Sequence, residues 1–315
     1  MSKQAFPWQE YLAPKFWPSW LGLAGMRILA ILPYRLQLII GTVIGEIFYH
    51  IAGYRREIAQ TNIRLCFPEL APEKQAKLVR DHFHSLGISI AETAMCWWGN
   101  EHKLRKLVKV SGFENIDAAL QQGTGAIVLG AHYTTVEISG RLITLDHKFA
   151  VTYQKLRNPL FDQMTLNRRN SMFDRIFSRN EIRPTFRYIK NNNLMWIASD
   201  QDAGIDNSVF VPFMGQMAAT QTVPSRMAKV TKAPIIPYIS RRLDNAQGYE
   251  IIFFPPLENF PGESLEADAI RTNQLIEEQI RKAPEQYLWV HRRFKTRPEG
   301  EAKLYRKKPR RVKKQ

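Results

Sequence analysis

The sequence predicts an α/β fold with a mixed, partly parallel sheet and flanking helices, preceded by an apolar helical segment. From residue 107 onward, short apolar runs of strand length alternate with stretches of helix length, the pattern of an α/β sheet. Within that region, Ala126-Ile127-Val128-Leu129 follows the turn signal Gly123-Thr124-Gly125 and reads as a buried strand. Ahead of it, residues 16–34 carry one charge, Arg27, and residues 36–53 carry one, Glu46.

Taken in order, the first 53 residues form an N-terminal segment that associates with a membrane. A span needs about 20 apolar residues, and a charge at its centre costs about 2.5–3.5 kcal/mol on insertion scales. Neither run is therefore a comfortable span. Three arrangements stay open: one crossing with Arg27 off centre, two helices lying in the interface, or a buried helical hairpin. Trp17 and Trp20 suit the headgroup level, and Arg55, Arg56 and Arg64 suit the anionic cytoplasmic side. No cleavable signal-peptide pattern opens the chain. Pro72-Glu73 starts a helical pattern running to about Trp98, with Leu78, Val79, Phe83, Leu86, Ile90 and Met95 at helical spacing.

The α/β region follows. Strands are expected at 107–110, 126–129, 149–153, 194–198, 209–213, 235–240 and 249–254. Helices are expected at 114–121, from Thr134 or Thr135 to about 145, and at 159–170, 222–231 and 264–282, with a further one from Glu285. The organisation is thus 1–53, 54–298 and a basic tail, 299–315. The last thirteen residues hold Lys303, Arg306, Lys307, Lys308, Arg310, Arg311, Lys313 and Lys314.

Composition narrows the function. A net charge of +16 implies an anionic partner. The tail suggests nucleic acid, but no known nucleic-acid module is present and the apolar N-terminal runs argue against it. The only cysteines, Cys66 and Cys96, form no CxxC pair, and His82 and His84 are two apart, so no metal site and no cofactor are expected. A nucleophile elbow, a dinucleotide fingerprint and a P-loop are all absent.

The chemistry centres on His132, where the central strand ends and a helix begins, the edge at which open α/β sheets bind ligands. His132 and Glu137 are five apart. On one regular helix they would be about 140° out of phase. They face each other only if His132 lies in the loop and Glu137 in the first helical turn. A carboxylate on one imidazole nitrogen would then leave the other to take a proton. Such a pair has no nucleophile of its own and would activate a substrate hydroxyl. The alternative for Glu137 is a capping box with Thr134. Arginines recur at 168, 169, 175, 179, 183, 187, 241, 242, 292, 293 and 297, and arginine favours a bidentate grip on phosphate or carboxylate.

Several blocks together resemble one family. They are Asn62-Ile63-Arg64-Leu65-Cys66-Phe67-Pro68-Glu69, Gly130-Ala131-His132 with Glu137, Ser199-Asp200-Gln201-Asp202-Ala203-Gly204, Val209-Phe210-Val211-Pro212-Phe213-Met214-Gly215 with Ala219-Thr220, and the stretch from Pro284 through His291-Arg292-Arg293-Phe294-Lys295-Thr296-Arg297 to Pro298. In this order they are similar to the bacterial lipid A late acyltransferases, and the His-Arg-Arg ending to the lauroyl branch. The resemblance implies a glycerolipid-acyltransferase-like fold, with residues 54–298 as the acyltransferase domain. It implies transfer of an acyl chain, lauroyl first, from acyl carrier protein to a hydroxyl of a phosphorylated, Kdo-bearing lipid A precursor. The place would be the cytoplasmic face of the inner membrane, on an anionic surface, with no nucleic acid involved. His132 and Glu137 would be catalytic. Arg169, with Arg168 as rival, would hold a phosphate or the oxyanion, and Asp200, Gln201, Arg292 and Arg293 would contact substrate. Myristoyl or palmitoleoyl transfer, and a membrane thioesterase using the same pair on water, are the alternatives.

Overall fold

The computed structural model describes residues 6–306. Most of the tail's cations, Lys307 to Lys314, lie outside them. Seven strands form one sheet in the order β1-β9-β8-β2-β5-β3-β4. These are β1 Val108–Ser111, β2 Ala126–Gly130, β3 Ala150–Tyr153, β4 Arg175–Ser178, β5 Leu194–Ala198, β8 Ile235–Arg242 and β9 Tyr249–Phe253. All neighbours are parallel except β8 and β9, which pair antiparallel. A separate hairpin, β6 Ser208–Phe213 with β7 Gln216–Gln221, stands apart from the sheet.

Every residue of β2 is buried, which requires cover on both faces. Val128 packs with Ile138 and Leu142 of α7 (Val136–Ile143), Ile116 of α6 (Phe113–Gln121) and Leu160 of α8 (Pro159–Met172). On the other face Ile127 and Leu129 join Ile189 of α9 (Ile182–Lys190) and Met227 of α10 (Val223–Thr231). The alternating side-chain directions of one strand thus feed two helical layers. A third core gathers Phe213 of the hairpin, Ile276 of α11 (Leu265–Lys282) and the C-terminal stretch Tyr287, Trp289 and Phe294.

The N-terminal segment forms α1 (Trp17–Leu29) and α2 (Tyr34–Ile51), then turns by 95° into α3 (Gly53–Cys66). Among the described residues no single helix is long and apolar enough to cross a membrane. α1 rises only about 20 Å against a hydrocarbon core of about 30 Å. α2 is tied along one side to α4 (Pro72–Trp98). Gly41 and Gly45 lie on Gly87: a Cβ on Gly87 would stand 2.1 Å from the Gly41 oxygen and 2.2 Å from the Gly45 nitrogen. On the opposite side of α2, Leu36, Ile39, Val43, Ile47 and Ile51 are exposed, and α1 exposes Trp17, Leu21 and Ile28. The apolar residues that face outward set the pair apart from a buried hairpin.

Two expectations fail. Beyond Pro284–Gln286, a single 3-10 turn, no helix forms. There the Leu288 N–H donates to the His132 carbonyl, and Tyr287 bridges to Tyr133. The backbone groups a helix would need are spent on the sheet edge. Neither Thr134 nor Thr135 caps α7 through its side chain. Thr134 Oγ1 bonds Ser85 Oγ of α4 at 2.7 Å, and Thr135 Oγ1 bonds Ser240 Oγ of β8 at 3.2 Å, so both brace the loop.

Candidate active site

β2 and β5 run parallel with Gly130 beside Ala198. Each chain continues two residues past that pair, which sets His132 beside Asp200. His132 Nδ1 stands 2.7 Å from Asp200 Oδ1, and the His132 backbone N–H donates to Asp200 Oδ2 at 3.1 Å. The carboxylate is 1% exposed and the imidazole 30%. A buried carboxylate bonded to Nδ1 fixes the proton there and turns the Nε2 lone pair outward. The tyrosine at 238 fixes the strand end: a Cβ on Gly130 would meet the Tyr238 ring at 2.3 Å, so only glycine fits.

The expected His132–Glu137 contact is therefore replaced by His132–Asp200. Glu137 instead receives Arg169 in a fork, Nε to Oε1 at 3.2 Å and Nη2 to Oε2 at 2.5 Å. Arg169 also lies over the Tyr153 ring, 5.5 Å from its centroid. The pairing of His132 with Asp200 joins residues 68 apart. It depends on which strands lie side by side, and local spacing carries no signal for it.

Charge follows this geometry. Burial pulls the His132 pKa down, but the Asp200 carboxylate outweighs it, and the net shift is upward. Burial pushes Asp200 up, and His132, with Arg293 beyond it, holds the carboxyl well below the usual range. A second histidine, not singled out by spacing, sits alongside. The Asp202 N–H donates to His291 Nε2 at 3.2 Å, which puts the His291 proton on Nδ1. Burial lowers its pKa to about 4, so the ring is neutral at ordinary pH.

The remaining expected site residues separate. Asp200 faces His132 rather than a substrate. Arg293 is 1% exposed. It donates to the Ala219 carbonyl and to Thr220 Oγ1, each at 2.7 Å, and lies over Phe213. It clamps the β6–β7 hairpin and contacts no open surface, which corrects the expectation of substrate contact for both residues. Asp202 accepts from the N–H and hydroxyl of Thr296 at 2.6 and 2.9 Å, tying this turn to the C-terminal stretch. Gln201 and Arg292 are half-buried. Arg168 turns away from Arg169 and stacks on Trp98 at the end of α4.

No thiol competes for the chemistry. Cys66 and Cys96 are both buried, and burial pushes both pKa values up. The arrangement can take a proton at Nε2 from a hydroxyl or water and hold the resulting imidazolium.

The family pattern described as bacterial lipid A biosynthesis acyltransferase matches residues 6–296. Three similar proteins come from Escherichia coli strain K12. Lipid A biosynthesis palmitoleoyltransferase is 34% identical over 298 residues, 94% of this chain and 97% of the relative. Lipid A biosynthesis lauroyltransferase is 33% identical over 299 residues, 93% of this chain and 96% of the relative. Lipid A biosynthesis myristoyltransferase is 28% identical over 306 residues, 95% and 94% of the two chains.

Proposed function

The chain belongs to the bacterial lipid A biosynthesis acyltransferases, and from that premise we propose that it moves an acyl chain from acyl carrier protein to a hydroxyl of a phosphorylated, Kdo-bearing lipid A precursor. His132 Nε2 takes the proton of the acceptor hydroxyl as its oxygen attacks the thioester carbonyl. Asp200 keeps the imidazole in the right tautomer and stabilises the imidazolium. The tetrahedral intermediate collapses, the carbon–sulfur bond breaks, and the leaving thiolate takes the proton from His132. An ester and a free thiol result, and no acyl-enzyme is required. Glu137 holds the Arg169 guanidinium, whose remaining N–H groups serve the oxyanion or a substrate phosphate.

The observation that carries this reading is the His132–Asp200 bond of 2.7 Å, with Nε2 left free at the C-terminal edge of β2. Lauroyl is the chain we assign first, on the His291-Arg292-Arg293 ending. Palmitoleoyl is the second reading, because the relatives with the two names stand at 34% and 33%. The outward apolar residues of α1 and α2, with the net charge of +16, support work on an anionic inner-membrane surface facing the cytoplasm. The same charge suits the acidic carrier protein.

The test offers purified protein a set of acyl carrier protein thioesters, with and without the tetra-acylated acceptor. Mass spectrometry follows the lipid, and thiol release follows the donor. Acceptor-dependent thiol release with one added acyl chain is the expected result. Equal release without acceptor would make the protein a thioesterase and overturn the transfer reading.

A further inference from the structure

α1 packs on α4 and also touches the start of α8. Asn158 Nδ2 donates to Ser19 Oγ at 2.8 Å, and a Cβ on Gly22 would stand 3.7 Å from the Phe161 ring. Further along, Arg27 and Arg168 converge on one indole. Their guanidinium carbons lie 5.9 and 5.3 Å from the centroid of the Trp98 ring. Stacking on a ring holds a guanidinium by its face and leaves its N–H edge free to fork onto an oxyanion.

Two acids, one close in sequence to Trp98 and one in contact with α8, are already paired. Glu137 is held by Arg169, and Glu101 by Arg105 and Arg141. Among the described residues, neither Arg27 nor Arg168 has an ion-pair partner. Two like charges thus share one indole, and burial and then the Arg27 charge both lower the Arg168 pKa. An anion bridging the two would relieve that repulsion. Arg27 is exposed and is followed by exposed Ile28, on the helix that also exposes Trp17 and Leu21. The pair therefore stands at the rim of the apolar face, where the polar head of an amphiphile would rest.

We infer that Arg27, Arg168 and Trp98 form a phosphate-binding site for the lipid acceptor. This rests on the acyl-transfer reading for the identity of the lipid. It gives the N-terminal helix a direct part in recognition as well as in membrane attachment. The other source of the same chemistry is the headgroup phosphate of a bilayer lipid.

Equilibrium binding in neutral detergent micelles distinguishes these. The probes are the phosphorylated acceptor, its dephosphorylated form and phosphatidylglycerol, against wild type, R27Q, R168Q and the double variant. Charge-assisted hydrogen bonds contribute enough that wild type should prefer the phosphorylated acceptor by about tenfold or more. Each single variant should lose most of that preference and the double variant all of it, while binding of the dephosphorylated form stays unchanged. R27K and R168K should keep part of it. Variants that retain the wild-type preference would overturn the site. Variants that lose only phosphatidylglycerol binding would overturn the acceptor assignment and give the site to the bilayer headgroup. The readout is binding, so a protein that failed to transfer acyl chains would contradict the functional reading and leave this result standing.

Discussion

Asp200, at 1% exposure, would be driven toward its neutral form by burial if it had no partner. Two bonds from His132 keep it charged, and in return its charge raises the His132 pKa against burial. The sign of the activity profile follows. The base is neutral His132, so turnover rises as pH climbs through this raised pKa. Removing the Asp200 charge leaves burial to dominate, and D200N should shift the rising limb of kcat to lower pH. Losing the orienting carboxylate should also cut kcat by ~10²–10⁴-fold. E137Q weakens the grip on Arg169, so it should reduce turnover while leaving that limb where wild type has it. A pH–rate profile of each variant checks both statements, and a shifted limb in E137Q with none in D200N would return the orienting role to Glu137. At this scale the sequence made His132 legible, since a strand, two small residues and a histidine are a local pattern. Its partner was not, because Asp200 reaches it only through the pairing of β2 with β5.

Elements were legible in proportion to how local their cause is. Leu194–Ala198 and Pro72–Trp98 lie where apolar periodicity puts them. β4, with its pattern of exposed, half-buried, buried, exposed residues, carries little periodic signal over four residues, and β7, with the small buried residues Ala218, Ala219 and Thr220 in a row, carries no alternation. The contact between α2 and α4 was hidden for another reason. Apolar content marks α2 as a membrane segment, but its glycines make it a docking helix, since Gly41, Gly45 and Gly87 let two backbones touch. G87A puts a methyl within 2.2 Å of backbone atoms on α2. It should cost about 1–3 kcal/mol, the range for overpacking a filled site, and lower Tm. An unchanged Tm would mean that the helices do not meet there in solution. The outward side of α2 makes the complementary prediction. V43E, at 55% exposure, should reduce partition onto anionic vesicles with Tm unchanged. Wild-type partition would remove α2 from the membrane-facing surface.

The whole molecule combines a seven-stranded sheet covered by helices on both faces, which sets His132 beside Asp200, with a helical flank whose apolar side meets no part of the described chain. The class of fold and the presence of an apolar N-terminal segment could be read from alternation and composition alone. The way the segment packs onto the rest could not, because it depends on contacts between residues far apart in the chain, such as Ser19 with Asn158 and Arg27 with Arg168 around Trp98. If this assembly works as an acyltransferase, its two central residues act as one unit and their losses do not add. The measurement is a double-mutant cycle on acyl transfer from the carrier thioester to the lipid acceptor, using H132A, D200N and the double variant, each checked for a wild-type Tm. H132A should lose ~10²–10⁴-fold, and the double variant should be no slower than H132A alone. A double variant slower by the product of the two single losses, or an H132A protein that transfers at the wild-type rate, would contradict the account.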